Sequence, residues 1–174
     1  MTNETLEVLK HRRSIRKYRP EQIRPEELDA ILEAGTYAPT GMGNQSPVMV
    51  VVQDAETLKT LSRLNAEIWG NPKIDPLYGA PTAVVVLADG TWPTWLQDGS
   101  LVMGTLMNAA ASVGVGSCWI NRATETFDRP EGKALLQKWN LPDTLRGVGI
   151  CILGYADGET PTAKPRKADY IVRV

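Results

Sequence analysis

The 174-residue sequence is short of the residue types on which several common catalytic sites depend. Its single histidine, His11, makes a histidine-based zinc site and a Ser-His-Asp triad both improbable. It has no GxxxxGK[ST] phosphate-binding loop. The nearest match to GxGxxG, residues 41–46, ends in Ser and precedes a predicted strand, which reverses the dinucleotide-binding order. The sequence therefore predicts no metal site and gives little support to hydrolytic chemistry.

The sequence also has little net charge and lacks long apolar runs. The formal net charge of -1 argues against general nucleic-acid binding, which needs a broad basic surface. No apolar run approaches the roughly 20 residues needed to span a bilayer, and the acidic N-terminus MTNETLEVLK is not that of a signal peptide. We therefore expect a cytoplasmic protein with neither nucleic-acid nor membrane partners.

Cysteine occurs twice, as Cys118 and Cys151, both among apolar neighbours and neither in a CxxC pair. Two reduced core thiols are the preferred interpretation, and one buried disulfide is the alternative.

The patterns that are present predict one α+β domain spanning 1–174. Apolar periodicity and capping signals predict helices, and short β-branched runs predict strands. The predicted helices are 4–12, 25–35, 55–69, 97–113 and 129–139, and the predicted strands are 48–53, 82–88, 115–120 and 146–153. Helix 97–113 is apolar nearly all round, which indicates a central position. Residues 160–174 cannot close a core alone; either they pack on a partner subunit or YIVRV adds a strand to its own sheet.

Positive charge is concentrated in two short segments. Residues 11–20, HRRSIRKYRP, contain five cations, and basic residues recur at Lys164, Arg166 and Lys167. The two clusters either converge on one phosphate, for which the planar arginine fork is suited, or lie separately on the surface. In the first case Ser14 would add a hydroxyl donor.

Four motifs in order, HRRSIRKY, APTGMGNQSP, GVGSCWI and KPRK, resemble the nitroreductase family of flavin mononucleotide (FMN) enzymes. The likeness spans nearly the whole chain, which is similar to a compact member of that family. It implies a central, mostly antiparallel sheet flanked by helices, in an intertwined homodimer with FMN bound between the subunits. The tail 160–174 would then pack on the partner subunit.

The resemblance also implies site residues. The FMN phosphate and ribityl chain would be held by Arg12, Arg13, Ser14 and Arg16, completed by Lys164 and Arg166. Lys17 and Arg19 are expected on the surface.

Two further segments would lie near the flavin ring. The first contributes Pro39, Thr40, Asn44 and Gln45, although Asn44 and Gln45 could instead cap the turn before strand 48–53. The second is the turn Trp119, Ile120, Asn121 and Arg122, whose backbone N–H groups at Asn121 and Arg122 would lie near flavin N5. Trp119 would either stack near the ring or only pack in the core. No protein side chain is expected to act as a catalyst.

The function implied is hydride transfer from NAD(P)H through FMN to an electron-poor acceptor, a nitroaromatic or a quinone, by a ping-pong mechanism. One alternative is another flavin reaction on the same fold, such as reductive dehalogenation or flavin reduction. A second is a non-enzymatic phospholigand-binding module. Substrate contacts are expected at loops 70–81 and 91–96, with Trp69, Tyr78, Trp92 and Trp95, unless these aromatics pack in a dimer. Asn108 matches a frequent family asparagine of unassigned role.

Overall fold

A four-stranded antiparallel sheet forms the centre of the computed structural model, which describes all residues 1–174. The strands are β1 (Pro47–Val52), β2 (Thr82–Asp89), β3 (Gly116–Ile120) and β4 (Leu145–Gly154), in the spatial order β1-β2-β4-β3. The helices are α1 (Glu4–His11), α2 (Pro25–Thr36), α3 (Ala55–Trp69), α4 (Trp95–Ser112), α5 (Ala123–Asp128) and α6 (Pro130–Lys138). The predicted α+β class and antiparallel sheet are confirmed. No helix is both long enough and apolar enough to cross a membrane.

Local signals explain where the main helices begin. The Asn3 side chain accepts a hydrogen bond from the Leu6 N–H at 2.9 Å and starts α1. Asp54 does the same for the Thr57 N–H at 2.8 Å and starts α3. Pro25 and Pro130 occupy the first turns of α2 and α6, where a missing N–H costs nothing.

Alternating side chains divide the core between the two faces of the sheet. Val84 and Val86 of β2 face α2 and α4, while Val85 and Leu87 face the opposite side with Leu61 of α3. Cys118 belongs to one of these clusters and Cys151 to the other. Because the two thiols lie on opposite faces of the sheet, they cannot form a disulfide, and both are free and buried. Burial raises the pKa of the Cys151 thiol to about 12.

Two parts of the chain differ from the sequence prediction. Helix α5 was not predicted, because its six residues ATETFD are too few to show an amphipathic period. The tail 160–174 is exposed throughout and adds no strand to its own sheet, so that alternative was wrong.

A buried carboxylate joins the start of α2 to the end of β4. Glu27 accepts hydrogen bonds from Arg24 Nη2 at 2.6 Å and from the Tyr155 hydroxyl at 2.6 Å. The bond from Arg24, and then that from Tyr155, lowers the pKa of Glu27 below its ordinary value. The ionised carboxylate therefore stabilises the folded state above the ordinary carboxyl pKa, and this contribution is lost as the pH falls through the lower folded pKa.

Replacing Glu27 with Gln is expected to destabilise the protein by about 1–3 kcal/mol at pH 7, because the charged acceptor of two donors is lost. Urea unfolding at pH 7 and at pH 4 measures the change. The difference in the free energy of unfolding between E27Q and wild type should be smaller at pH 4 than at pH 7. Glu33, an exposed residue of the same helix with no ion pair, supplies the control E33Q. An equal loss in E33Q would contradict this role for Glu27.

Candidate functional site

The first part of the candidate site is the segment that leaves α1 and runs along the outer strand β3. Ser14 forms a parallel bridge with Ser117, and the Ile15 N–H donates to the Ser117 carbonyl at 2.9 Å. Further along, the Arg19 N–H donates to the Tyr155 carbonyl at 2.9 Å. These bonds fix Arg12 and Arg13 beside the beginning of β3.

A cavity of about 420 Å³ opens at this point, lined by Arg12, Arg13, Gly116 and Ser117 among others. Two polar atoms of these lining residues, Arg12 Nη1 and Ser117 Oγ, are buried, and neither has a hydrogen-bond partner. A buried donor without a partner costs about 1–3 kcal/mol, so both are suited to a ligand with acceptor oxygens. A phosphate fits this pair of donors. Ser117 was not among the predicted site residues; its signal was a hydroxyl residue directly after GVG.

The other predicted cations of this segment differ in their surroundings. Arg13 donates from Nη1 to the Lys10 carbonyl at 2.7 Å and to the Arg12 carbonyl at 2.6 Å, which satisfies the end of α1. Arg16 is exposed and lines a neighbouring depression with Ser14. Lys17 pairs with Asp157 at 2.6 Å, and Arg19 with Glu21 at 3.7 Å, on the surface as expected.

The second basic cluster does not reach this cavity within one chain. Lys164 and Arg166 are exposed, and the Arg166 guanidinium donates to the Lys164 carbonyl at 2.6 Å. The predicted convergence on one phosphate is therefore not formed by a single protomer.

A second part of the site is the loop before β1, which is anchored by a carboxylate that sequence analysis missed. Asp98 of α4 is 2% exposed and accepts a hydrogen bond from the Gly41 N–H at 2.9 Å. Its other oxygen accepts the Thr94 hydroxyl at 3.0 Å. A Cβ at Gly41 would lie 2.5 Å from Thr94 Oγ1, so glycine is required for this approach.

The predicted ring-edge residues lie on this anchored loop. Asn44 Nδ2 is buried without a partner, so its side chain does not cap the turn. Gln45 is exposed with a left-handed φ of 54°, and its N–H donates to Thr40 Oγ1 at 3.0 Å. Pro39 is also exposed, and Thr40 and Gln45 line a cavity of about 110 Å³. The loop thus holds two unpaired buried donors, Asn44 Nδ2 and Ser46 Oγ, and one exposed amide, Gln45.

The third part is the turn between β3 and α5. Asn65 of α3, fully buried, donates from Nδ2 to the Asn121 carbonyl at 2.6 Å. Thr126 donates its N–H and its hydroxyl to the Arg122 carbonyl at 2.9 and 2.8 Å. The backbone N–H groups of Asn121 and Arg122 have no acceptor within the chain. The turn therefore presents two free donors on a fixed backbone. Sequence analysis missed Asn65, whose contact spans 56 positions.

The two residues before this turn belong to the core. Trp119 packs on the α4 side of the sheet, where a Cβ at Gly149 would lie 2.7 Å from its Nε1. Trp119 is only partly buried in this packing, and its stacking near the ring stays a prediction. The Ile120 side chain is 6% exposed and faces the opposite core, so only its backbone is available to a ligand.

The aromatic residues expected at a substrate site have varied contacts. Tyr78 packs against the core on the α3 side, whereas Trp69 and Trp92 remain 50% and 40% exposed. The Arg122 guanidinium lies 4.4 Å from the centre of the Trp69 ring, and that of Arg146 lies 4.6 Å from the centre of Trp95. Asn108 lines an open groove between α1 and α4.

Comparisons with known proteins agree on one family. The sequence profile of the Nitroreductase family matches residues 9–75 and 69–155. A crystal structure of a nitroreductase with bound FMN from Bacteroides fragilis is 34% identical, with a TM-score of 0.91 over 99% of this chain and 100% of that one. A second, also with bound FMN and from Desulfitobacterium hafniense, is 26% identical with a TM-score of 0.89, and covers 100% of both chains. An FMN reductase [NAD(P)H] from Bacillus subtilis is 27% identical over 94% of this chain and 70% of its own.

Proposed function

This chain belongs to the nitroreductase family, and from that premise we propose that it is an FMN-dependent NAD(P)H oxidoreductase. The observation that carries the proposal is the buried, unpartnered pair of Arg12 Nη1 and Ser117 Oγ in one cavity. Bound FMN would supply hydride-transfer chemistry at N5, and we propose a ping-pong cycle with NAD(P)H as donor and a nitroaromatic or quinone as acceptor.

At the phosphate end, Arg12 and Ser117 would donate from the buried side, and Ser14, Arg13 and Arg16 would add to the rim. Charge-assisted hydrogen bonds from guanidinium to phosphate are about twice as strong as neutral ones. A phosphate at this end would account for Arg12, Arg13 and Arg16, three of the five cations in residues 11–20, whereas Lys17 and Arg19 pair with surface carboxylates.

At the ring end, the chain would contribute backbone donors. The free N–H groups of Asn121 and Arg122 would hold N5, and Asn44, Gln45, Pro39 and Thr40 would line the ring edge. Ser117 and Asn121 are four residues apart on an extended strand, about 13 Å. The site therefore separates an anion-binding end from an uncharged donor end, as a flavin nucleotide requires.

A homodimer would complete the site. The tail exposes Tyr170, Ile171, Val172 and Val174, and α4 exposes Leu96 and Leu101. Apolar surface of this kind is stabilised by burial against a partner. Lys164 and Arg166 would then reach the phosphate of the other subunit, which explains why one protomer leaves them in solvent.

Steady-state kinetics with NADH or NADPH and an acceptor panel test the proposed function. A ping-pong cycle predicts parallel lines in double-reciprocal plots with menadione or nitrofurazone. The panel includes free FMN, because one relative is an FMN reductase. Reduction of free FMN alone would favour flavin reduction over the proposed acceptors. If the protein reduced none of the acceptors in the panel, the proposed oxidoreductase function would be rejected.

A further inference from the structure

Arg122 combines three features that a surface arginine rarely shows together. Its φ of 70° is left-handed, a conformation that costs an L-residue with a side chain energy that glycine avoids. Its guanidinium is stacked 4.4 Å from the centre of the Trp69 ring. The residue is half-buried, whereas the Trp69 ring is 50% exposed. A strained backbone that fixes a cation beside an open aromatic face suggests a role beyond packing.

The charge of Arg122 is not neutralised within the chain. None of the ten ion pairs includes Arg122, so no carboxylate lies within 4.0 Å of it. Arg146 offers a direct comparison, because it also stacks on a tryptophan, Trp95, yet its Nε donates to Asp128 at 3.1 Å. The Arg146–Trp95 pair thus has a counter-ion within the chain, and the Arg122–Trp69 pair does not.

The turn that carries Arg122 is held rigidly. Asn65 fixes the Asn121 carbonyl from the buried side, and Thr126 holds the Arg122 carbonyl with two hydrogen bonds. The backbone of the turn is therefore fixed, and the guanidinium that extends from it lies against the Trp69 ring. Little conformational entropy remains to be lost when an anion binds there.

We propose that Arg122, supported by Trp69, selects acceptors that carry a negative charge, such as aromatic carboxylates or sulfonates. The inference rests on the proposed function, since it places the acceptor next to the turn that would contact the flavin. The guanidinium would pair with the acceptor's anionic group, and the exposed part of Trp69 would contact its ring.

Two acceptors of similar size test the proposal: 4-nitrobenzoate, which is an anion, and 4-nitrobenzamide, which is neutral. The variant R122N removes the charge and keeps a residue that tolerates left-handed backbone. We expect the ratio of kcat/KM for the benzoate to that for the benzamide to fall about tenfold in R122N, the effect of losing one charge-assisted bond. R122K should retain most of the ratio, and R146Q should leave it unchanged.

A second readout does not depend on turnover. Quenching of tryptophan fluorescence by 4-nitrobenzoate, in the FMN-loaded protein without NAD(P)H, should give a Kd that rises about tenfold in R122N. An unchanged ratio together with an unchanged Kd would overturn the proposal. The proposal would also be overturned if R122N left the kcat/KM ratio unchanged but shifted the flavin midpoint potential. In that case the charge of Arg122 would act on the cofactor and not on the acceptor.

Failure of the proposed function would be recognised separately. In that case wild-type protein would reduce neither acceptor, whatever the variant. The fluorescence titration, repeated without FMN, would then decide the anion site by itself: a tenfold weaker Kd in R122N supports it, and equal Kd values reject it.

Discussion

Replacing Arg12 with Met is expected to weaken FMN binding by about 100-fold. The Arg12 Nη1 atom is buried without a partner in the cavity that also contains the unpaired Ser117 hydroxyl. A hydrogen bond to a charged group contributes about 1.5–3 kcal/mol, and the arginine fork can make two to one phosphate. Fluorescence titration of the apoprotein with FMN measures the change.

Riboflavin and Lys17 provide the controls for R12M. Riboflavin lacks the phosphate, so its affinity should be nearly the same in wild type and R12M. Lys17 belongs to the same basic segment but pairs with Asp157 at 2.6 Å, so K17M should bind FMN normally. If riboflavin binding fell as far as FMN binding, Arg12 would be supporting the fold and not the phosphate.

Removal of residues 163–174 is expected to abolish the proposed homodimer and, with it, tight FMN binding. The truncation keeps Thr160 and Pro161, which line the two depressions beside the basic segment. It removes Tyr170, Ile171, Val172 and Val174, all exposed in one protomer. Burial of each large apolar side chain against a partner would contribute about 1.5–3 kcal/mol. Light scattering after size-exclusion chromatography measures the mass.

The double variant K164M/R166M separates the two roles of the tail. It keeps the apolar residues, so the dimer should persist while FMN affinity falls. A truncated chain that stays dimeric at micromolar concentration would contradict the role of the tail in assembly. A double variant with normal FMN affinity would remove Lys164 and Arg166 from the phosphate site.

Local signals in the sequence were sufficient for most of the fold. The cap at Asp54, the apolar period of α3 and the β-branched run of β2 each depend on neighbours within one or two turns. The individual helices and strands followed from such signals, whereas the antiparallel arrangement of the sheet was implied by the family resemblance. Helix α5 was not predicted because its short, polar sequence shows no apolar period. Its contact between Ala123 and Gly147 of β4 forms only in the folded chain.

Site residues that belong to a sequence motif could be predicted, whereas residues positioned by contacts between distant parts of the chain could not. Arg12 was predicted from the motif HRRSIRKY. That its Nη1 atom has no hydrogen-bond partner depends on the surroundings of the cavity at β3, which the motif does not show. Asp98 anchors Gly41 across 57 positions, and Asn65 holds Asn121 across 56. No local pattern distinguishes these two buried polar side chains from ordinary helix residues. Arg13 came from the same motif, but nothing local in the sequence shows that its Nη1 also satisfies the carbonyls at the end of α1.

The most direct test of the central claim is the visible absorption spectrum of the purified protein, recorded before and after anaerobic addition of NADH. We expect a yellow protein with flavin absorption that bleaches on NADH addition and recovers when a quinone is supplied. A protein that stays colourless after incubation with FMN would contradict the account. It would leave the cavity at Arg12 and Ser117 as a site for some other anion.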